Sequence, residues 1–541
     1  MLQDDQLTPL FPPPGKTPRE DTAAVMRFYK LPQGFSREVL REASAVAAVS
    51  PSEDQSLGRR LDLRRRFIFT CDPETARDFD DALSLETDRR GNRVLGVHIA
   101  DVSHYVRPGS ALDREAYRRS TSVYLCDRVV PMLPEVLSNG VCSLVPGEDR
   151  LAFSAFMTFD RDGTLVASRF ARSVIRSKAR FTYEQVMSVI SGADRVSGPA
   201  GAAIGKREAR TIRAISALAQ QLRARRFAAG ALDLEMPETE VRLDDNGELA
   251  GLVTRPYDES HQMIEECMVA ANEAVAKSLW TRGVRILARL HEPPDPEKLQ
   301  LLRAELRGLG VKMGSIENPK VFAQFLQSIK RHPLYPTLSV MVLRSMKKAI
   351  YSAEAIGHFG LAKRYYAHFT SPIRRYPDLT VPRQLAAQLE GGNARVPASL
   401  LSRWAEHTSE REEIAAEAER GLVEIKKFRF MEDQLYSRQV IDYDAVVVKC
   451  LPFGCFVEIP ELAVTGLVHV SLLSRRYVRF NESDQSLSAP GGGSWRAGDR
   501  LRVHVARVDF TQRRIDFVPV GEVRRERPAT GRKGRQKGEP R

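Results

Sequence analysis

One stretch, CDPETARDFDDALSLE at residues 71–86, constrains this chain more than any other. It contains four aspartates within ten positions: Asp72, Asp78, Asp80 and Asp81. Carboxylates this close repel one another, and they take up protons unless a cation neutralises them. Hard oxygen ligands select Mg²⁺ or Mn²⁺. The stretch therefore predicts a divalent-metal site.

Two other interpretations of this stretch deserve comparison. A calcium-binding EF-hand loop is excluded, because its glycine and its terminal glutamate are missing at the required offsets. A solvated acidic turn stays open on the motif alone. Against it, the apolar segments RRRFIFT and VLGVHIADV flank the turn and read as strands. Such strands would set the turn against a core, where exposed carboxylates are not expected.

A second segment, HFTSPIRRYPDLTVPRQL, contains Arg374, Arg375 and Tyr376. Guanidinium groups bind phosphate bidentately, and a neighbouring aromatic ring can stack on a base. The alternative for an isolated Arg-Arg-Tyr is a salt-bridging surface pair. A carboxylate metal cluster together with a phosphate-binding arginine is the combination that hydrolyses phosphodiesters.

Charge and cysteine content narrow the partner and the compartment. The chain has 82 Lys and Arg against 69 Asp and Glu, a formal net charge of +13, which favours a polyanion such as nucleic acid or an acidic membrane face. Its six cysteines form no C-x-x-C metal pair, which predicts a reducing, cytoplasmic setting. The Pro-rich start differs from a signal peptide, and no apolar run of about 18 residues predicts a membrane span.

The spacing of apolar residues predicts an α+β fold with a C-terminal barrel of the OB type. A short helical lead, with Ser36 as an N-cap, precedes a core that is rich first in strands, including a hairpin around Asp160 to Gly163, and then in helices, one of which is PTLSVMVLRSMKKAIYS and ends at Ser352. A long helix from about Pro397 to Leu435 ends the core, and five short strands, with a Gly-rich loop at 489–494, then predict the OB-fold barrel. A basic tail without apolar periodicity is predicted to be disordered. The predicted regions are the helical lead at 1–63, the α+β core at 64–436, the OB-type barrel at 437–520 and the basic tail at 521–541.

Taken together, these segments resemble the ribonuclease II and ribonuclease R (RNB) family of exoribonucleases. The resemblance rests on ARDFDDALSLE, GVHIADVSHYVRPGSALDREA, STSVYLCDRVVPMLPEVLS, HQMIEECMVAANEAVA and HFTSPIRRYPDL, in family order. The barrel is similar to the RNA-binding OB-fold repeat of ribosomal protein S-one, notably in FGCFVEI and GLVHVSLL. The resemblance implies a Mg²⁺-dependent hydrolase that degrades single-stranded RNA from its 3′ end and releases nucleoside 5′-monophosphates.

The resemblance also implies a role for each candidate site residue. The four aspartates match the family's metal ligands, for two ions, and Asp80 is the one most tied to the chemical step. Arg374 matches the arginine that grips the scissile phosphate. Tyr124 matches the aromatic residue that stacks on the 3′-terminal base, Glu419 a glutamate near that end, and Glu265 a position associated with ribose recognition. The structural alternatives are a core role for Tyr124 and a solvated position for Glu419.

Other features are expected to be structural, or depart from the family. His98, His104 and His368 are expected to be structural, since Mg²⁺ prefers oxygen. The basic residues of RAISALAQQLRARR are expected to lie on a solvated helix face, with the lining of a channel as the alternative. The lead is too short for the two cold-shock domains that relatives usually carry. Further departures are Leu234 at the position of a second stacking aromatic, Gly421 in place of an aspartate and Pro382 in place of a histidine.

Two other functions were set against the exoribonuclease. A catalytically silent RNA-binding regulator on the same fold would be expected to lose some of the four aspartates, and all four are present. An endonuclease would need an open cleft in place of a dead-end channel. The first comparison favours the enzyme, and the second stays open at the level of sequence.

Overall fold

The computed structural model divides the chain into two compact units, Met1–Lys426 and Lys427–Arg541. Each unit is described by itself. The predicted disordered tail and Leu234 lie outside the described residues. The residues that the structure describes are 11–49, 57–196, 205–233, 239–254, 257–308, 310–314, 319–332, 335–354, 356–436, 440–482, 485–490 and 493–520.

A seven-stranded sheet forms the centre of the first unit, in the order β1-β8-β7-β4-β3-β2-β9. The pairs β1/β8 and β2/β9 are parallel and the others are antiparallel. Outside this sheet, β5 and β6 form a separate hairpin. The first nine strands are β1 (Leu61–Asp62), β2 (Phe69–Cys71), β3 (Asp81–Thr87), β4 (Arg93–Ala100), β5 (Val123–Tyr124), β6 (Val129–Val130), β7 (Asp149–Phe159), β8 (Leu165–Arg176) and β9 (Ala179–Phe181).

Two further strand pairs complete the β-structure of the first unit. They are β10 (Thr239–Leu243) with β11 (Leu249–Thr254), and β12 (Ala288–Leu290) with β13 (Ile350–Ser352). The sequence predicted one helix through Ser352, and this is wrong for the last residues. Ile350 and Tyr351 instead pair with β12, because a β-branched and an aromatic residue suit a strand once a partner strand is available.

Both faces of the central sheet are covered, as the alternation along β7 requires. Phe153, Ala155 and Met157 lie in one apolar cluster together with residues of helices α5 to α7. Ala152 and Phe156 lie in a second cluster on the opposite face. The helices of this unit are α1 (Asp21–Phe28), α2 (Arg37–Ala47), α3 (Val102–Tyr105), α4 (Ala111–Arg119), α5 (Tyr183–Ile190), α6 (Lys206–Ala228), α7 (Glu259–Trp280), α8 (Pro296–Gly308), α9 (Pro319–Ile329), α10 (Tyr335–Ser345), α11 (Tyr376–Leu389) and α12 (Ala398–Tyr436), within which the two units divide.

Local predictions for three helices can be compared with the structure. Ser36 caps α2, since its hydroxyl accepts the Val39 N–H at 3.3 Å, and the long helix is present as α12. The predicted solvated face of α6 is wrong at Arg226, whose side chain is buried. Its guanidinium donates hydrogen bonds to Glu266 of α7, so a basic residue that reads as solvent-facing is in fact a core ion pair.

The second unit contains the predicted barrel, closed in the order β14-β15-β16-β21-β20. Gly466 is required by packing, because a Cβ atom there would lie 2.4 Å from the Phe517 ring. The predicted loop at 489–494 is partly wrong, since Ala489 belongs to β18 and Gly493 and Ser494 to β19, and these strands pair in a small sheet with β17. The elements are β14 (Tyr443–Leu451), β15 (Gly454–Ile459), β16 (Val464–His469), α13 (Val470–Leu473), β17 (Arg479–Asn481), β18 (Ser486–Ala489), β19 (Gly493–Trp495), β20 (Arg500–Asp509) and β21 (Arg514–Pro519).

Among the described residues, no helix combines the length and the apolar content needed to span a bilayer.

Candidate active site

The four aspartates lie in and beside the connection between β2 and β3, residues 72–81, which we call the aspartate loop. Asp72 directly follows β2 and Asp81 begins β3. Neighbouring strands hold both ends of the loop: the Asp72 N–H donates to the Phe181 carbonyl at 3.0 Å, and the Ala100 N–H donates to the Asp80 carbonyl at 2.8 Å. The loop is therefore fixed by backbone hydrogen bonds to the central sheet.

Two side chains that sequence reasoning missed fix the middle of the loop. The Arg180 guanidinium donates to the carbonyls of Pro73 and Glu74, at 2.9 and 2.6 Å, and lies 4.9 Å from the centre of the Phe79 ring. The Ser143 hydroxyl donates to the Arg77 carbonyl at 2.8 Å and accepts the Phe79 N–H at 2.9 Å. Neither side chain belongs to the acidic motif, so only the pairing of β2 with β9 could have indicated Arg180.

Asp80 is the most buried of the four aspartates, with 4% of its surface exposed. Its Oδ1 accepts the Ile373 N–H at 2.9 Å, and its Oδ2 lies 3.7 Å from Nε of Arg374. Within the described residues, Oδ2 of Asp80 and Oδ2 of Asp72 are buried oxygens without a hydrogen-bond partner. Such oxygens are costly unless another group compensates them.

The pKa values of Asp72, Asp80 and Asp81 are all raised, which indicates that too little positive charge lies near these carboxyl groups. Burial raises the pKa of Asp80 well above its ordinary value, and Arg374 only partly opposes this. Burial, followed by the charge of Asp81, raises the pKa of Asp72. Burial also raises the pKa of Asp81 to about 6, against the lowering effect of Arg374 and Arg375. A bound cation would favour the ionised form of all three carboxyl groups.

The donor set fits a hard divalent cation in its chemistry, because it consists of carboxylate oxygens and includes two buried, unpartnered ones. In the part of the chain that the structure describes, no three His, Cys, Asp or Glu side chains are arranged so that they could hold a metal ion as they stand. The fit to a divalent cation therefore rests on the chemistry of the donors and not on an assembled set of ligands.

The two adjacent arginines have different roles. Arg374 precedes α11, has a side chain that is 43% exposed, and donates to the Ser371 hydroxyl at 3.1 Å, so its guanidinium borders the aspartate loop and remains accessible. Arg375 is instead paired with the buried carboxylate of Asp378 at 2.7 Å. The same Asp378 oxygen accepts the Ser371 N–H at 2.8 Å. Of these two arginines, Arg374 is therefore the one whose guanidinium is accessible to a ligand.

Tyr124 and Glu419 lie together beside the aspartate loop, although 295 positions separate them in the chain. The Tyr124 N–H donates to Oε1 of Glu419 at 2.8 Å, and the Tyr124 hydroxyl donates to Oδ2 of Asp78 at 3.2 Å. Tyr124 is 42% exposed, so the alternative that it is a core residue is wrong. The carboxyl of Glu419 is a hydrogen-bond acceptor here, and burial raises its pKa.

Glu265 lies elsewhere in the first unit. It belongs to α7, where its carboxylate accepts hydrogen bonds from Arg226, at 3.0 Å, and from the Tyr257 hydroxyl. These contacts do not join it to the aspartate loop or to Tyr124. A tyrosine that sequence reasoning missed is nearer the aspartates: burial raises the pKa of Tyr183, and the charges of Cys71, Asp81 and Asp72 add to this effect.

Two of the histidines have the predicted structural roles. The His98 ring is buried between the hydroxyls of Ser84 and Ser154, at 2.9 and 2.7 Å, and burial lowers its pKa to about 3. The His368 ring accepts or donates a hydrogen bond with the Tyr351 hydroxyl at 2.9 Å, and burial lowers its pKa. Neither ring contributes to the aspartate loop.

Comparison with known proteins agrees with this geometry. The family model described as the RNB domain matches residues 60–391, more than half of the chain, and the S1 RNA binding domain matches residues 442–518. Ribonuclease R of Thermotoga maritima is 41% identical over 95% of this chain and 74% of its own length. The structure of Mycoplasma genitalium RNase R, bound to ribose-methylated single-stranded RNA, has a TM-score of 0.83 and 28% identity, and covers 93% of this chain and 78% of that one.

The chain therefore belongs to the RNB family of exoribonucleases, a metal-dependent family. It is a hydrolase, a 3′-to-5′ exoribonuclease, and its partner is RNA. Yeast Ssd1, a pseudonuclease, has a TM-score of 0.71 at 20% identity over 87% of this chain and 58% of its own, which shows a common fold and nothing about activity.

Proposed function

We propose that the four aspartates bind Mg²⁺, with Mn²⁺ as an effective substitute, and that the enzyme hydrolyses single-stranded RNA from the 3′ end to nucleoside 5′-monophosphates. The state of Asp80 carries this proposal. One of its oxygens is held by the Ile373 N–H, and the other is buried, without a hydrogen-bond partner among the described residues, and faces Arg374. A carboxylate in this state is prepared for a cation and for a phosphate beside it.

Bound Mg²⁺ supplies the positive charge that activates water and stabilises the leaving 3′ oxygen. The chain's own residues supply orientation. Asp80 is kept rigid by Ile373, and the accessible guanidinium of Arg374 holds a phosphate oxygen next to the aspartates. Because Arg374 donates to Ser371, its direction is set before RNA binds.

The 3′-terminal nucleotide is proposed to lie on Tyr124. Its exposed ring offers a stacking surface, while Glu419 and Asp78 hold the residue at its backbone and its hydroxyl. We keep Glu265 as the candidate ribose contact. Each of its oxygens accepts one hydrogen bond in this structure, and each has a second lone pair that can accept a ribose hydroxyl.

We also propose that the chain consists of the four regions that the sequence predicts: the lead at 1–63, the catalytic core at 64–436, the barrel at 437–520 and the basic tail at 521–541. The barrel and the basic tail would hold RNA outside the catalytic core, since closed OB-type barrels bind single strands by stacking and charge. A cytoplasmic location is proposed because all six cysteines are free thiols, a state that suits a reducing compartment.

The test is digestion of 5′-labelled single-stranded RNA with Mg²⁺, with Mn²⁺ and with EDTA. We expect a ladder that shortens stepwise, nucleoside 5′-monophosphates as the released product, and no digestion in EDTA. Internal fragments that appear before any shortening would contradict exonucleolytic attack, and digestion that continues in EDTA would contradict the metal site.

A further inference from the structure

The N-terminal lead, of which the structure describes residues 11–49 and 57–63, contacts α12 through a buried ion pair. Asp21 of α1 and Lys426 of α12 are 0% and 1% exposed, and Nζ of Lys426 lies 3.0 Å from Oδ2 of Asp21. Lys426 also donates to the Pro18 carbonyl, and the other Asp21 oxygen accepts the Gly15 N–H at 2.9 Å. A segment that reads as a loose extension is thus fastened to the helix that carries Glu419.

A second contact on α12 explains one departure from the family. A Cβ atom at Gly421 would lie 3.1 Å from Cγ of Pro12 and 3.6 Å from the Tyr29 hydroxyl. The absence of a side chain at Gly421 therefore lets the lead approach the helix closely. Gly421 and Lys426 both follow Glu419 on α12, two and seven residues after it, so the lead contacts this helix directly C-terminal to Glu419.

A second part of the lead contacts Arg119 at the end of α4, and Arg119 in turn contacts the residue that follows the β5–β6 hairpin, which carries Tyr124. Arg119 is 4% exposed, and its guanidinium lies 3.7 Å from the centre of the Phe35 ring and donates to the Gly34 carbonyl. The same guanidinium donates to the carbonyl of Pro131, directly after β6, at 3.0 Å. Arg119 therefore couples the lead to the base of the hairpin.

We propose that the lead is a brace that sets the position of Tyr124 relative to Glu419, with Asp21, Lys426 and Arg119 as positioning residues for the 3′-terminal nucleotide. Tyr124 and Glu419 lie on separate elements joined by one hydrogen bond of 2.8 Å. The lead contacts both elements, at Lys426 on one and through Arg119 on the other. This inference rests on the proposed stacking role of Tyr124.

The brace predicts an effect on short RNA in particular. A long RNA is held by many contacts, whereas the last few nucleotides are held mainly by stacking at the 3′ end. Loosening the platform should therefore release short products early, while the first cleavages on long RNA remain fast. A purely structural lead would lower the melting temperature and leave the final product unchanged.

The experiment uses the full chain and three variants: Asp21→Asn, which unpairs Lys426; Phe35→Leu, which removes the ring beneath Arg119; and Gly421→Ala, which displaces Pro12. We expect a longer final oligonucleotide, a KM for short RNA raised by about three- to tenfold, and kcat on long RNA within about twofold of the wild type. If Asp21→Asn does not fold, the two milder variants carry the test.

Glu412→Gln is the matched control. Glu412 lies seven residues before Glu419 on α12, as Lys426 lies seven residues after it, and it pairs with Arg289 at 2.6 Å rather than with the lead. We expect its product ladder to match the wild type. Identical ladders for the folded brace variants and for Glu412→Gln would overturn the proposal, as would a ladder change in Glu412→Gln of equal size.

Combining Phe35→Leu with Tyr124→Ala separates this proposal from the proposed function. If the brace acts through Tyr124, the double variant should leave the same final product as Tyr124→Ala alone, because the effects are not additive. Additive lengthening would overturn the brace. An unchanged ladder in Tyr124→Ala, with lengthening in Phe35→Leu, would overturn the stacking role on which the brace rests.

Discussion

Two groups of acidic side chains in the first unit differ in their partners: the aspartate loop, and Glu266 of α7 with Asp233, both of which lie within 4.0 Å of the Arg223 guanidinium of α6. Glu266 is 2% exposed and accepts two hydrogen bonds from Nε of Arg226, at 3.0 and 3.2 Å, while Asp233, five residues after the end of α6, accepts a hydrogen bond from Lys330 at 2.6 Å. On the loop, among the described residues, the one cation within 4.0 Å of an aspartate oxygen is Arg374, at 3.7 Å. The chain thus compensates one acidic cluster and leaves the other short of positive charge.

The pKa values distinguish the two clusters as the contacts do: the pKa is lowered in the compensated cluster and raised in the aspartate loop. Burial acts on Asp233 as it does on Asp80, yet Lys330 and Gln327 more than offset it and lower the pKa of Asp233. Burial prevails at Asp80, and its pKa is raised. Buried carboxylates are therefore no sign of a metal site by themselves. Among the described residues, Arg374 is the single protein cation within 4.0 Å of the aspartates, and it does not outweigh burial at Asp80; this shortage of positive charge is what supports the proposed metal site.

Asp80→Asn should have the largest effect, because it removes charge from the uncompensated cluster and keeps its shape. We expect the single-turnover rate to fall by about three orders of magnitude or more, since several kcal/mol of charge stabilisation is lost. RNA affinity should be unchanged or higher, and so should the melting temperature measured in EDTA. Hydrolysis at a near wild-type rate would contradict the assignment of the site.

Arg374→Ala should reduce kcat by about 10²- to 10³-fold, as expected for losing one donor to a charged transition state. Affinity for long RNA should change little, since one phosphate contact among many is lost. Arg375→Ala is the matched comparison, and we expect it to lower stability because Asp378 is left buried and unpaired. A large loss of affinity with unchanged kcat in Arg374→Ala would contradict its role.

Substitution in the compensated cluster, at Glu266, should lower the stability of the fold rather than the rate of hydrolysis. Glu266→Gln removes the charge of the main partner of the buried Arg226 guanidinium and leaves Glu265 as its remaining carboxylate, at a cost of about 1.5–3 kcal/mol in the free energy of unfolding. Denaturant unfolding of Glu266→Gln and Asp80→Asn compares the effect of the two substitutions on the free energy of unfolding. If Glu266→Gln and Asp80→Asn lower stability equally, the distinction between the two clusters is not valid.

Sequence reasoning identified the residues that carry charge, and failed where burial decides their role. The four aspartates and Arg374 are adjacent in short motifs, so chemistry and spacing were sufficient. The clamp of Arg180 on Pro73 and Glu74 joins residues about a hundred positions apart, and no local pattern reveals it. Arg226 reads as solvated because its neighbours on α6 are basic, and its burial depends on how α7 packs against it.

The same reason separates the parts of the fold that were predicted from those that were not. Ser36, the β7–β8 hairpin and the barrel follow from capping, turns and alternation within one segment. The end of α10 was predicted too late, because β13 forms only where β12 offers a partner. Gly421 was noted as a departure without a cause, and its contact with Pro12 depends on the tertiary fold.

The smallest expected effect concerns Tyr124, whose hydroxyl is a neutral donor to the uncompensated cluster. Two variants separate the effect of the Tyr124 hydroxyl from that of its ring. Tyr124→Phe keeps the ring and removes the hydrogen bond to Asp78, so we expect the product ladder to stay unchanged. Tyr124→Ala removes the ring as well, and base–aromatic stacking contributes about 1–3 kcal/mol per base.

Short products should therefore dissociate earlier from Tyr124→Ala, and the final oligonucleotide should be longer, while the first cleavages on long RNA remain fast because distant contacts hold the chain. Leu234→Phe should act in the opposite direction, since it adds a ring at the position where the family resemblance implies a second stacking residue. Product ladders on 5′-labelled RNA compare the three variants. If Tyr124→Phe lengthens the product as much as Tyr124→Ala, the hydrogen bond to Asp78 and not the ring positions the RNA, and the aspartate loop then depends on a protein donor as well as on a cation from outside.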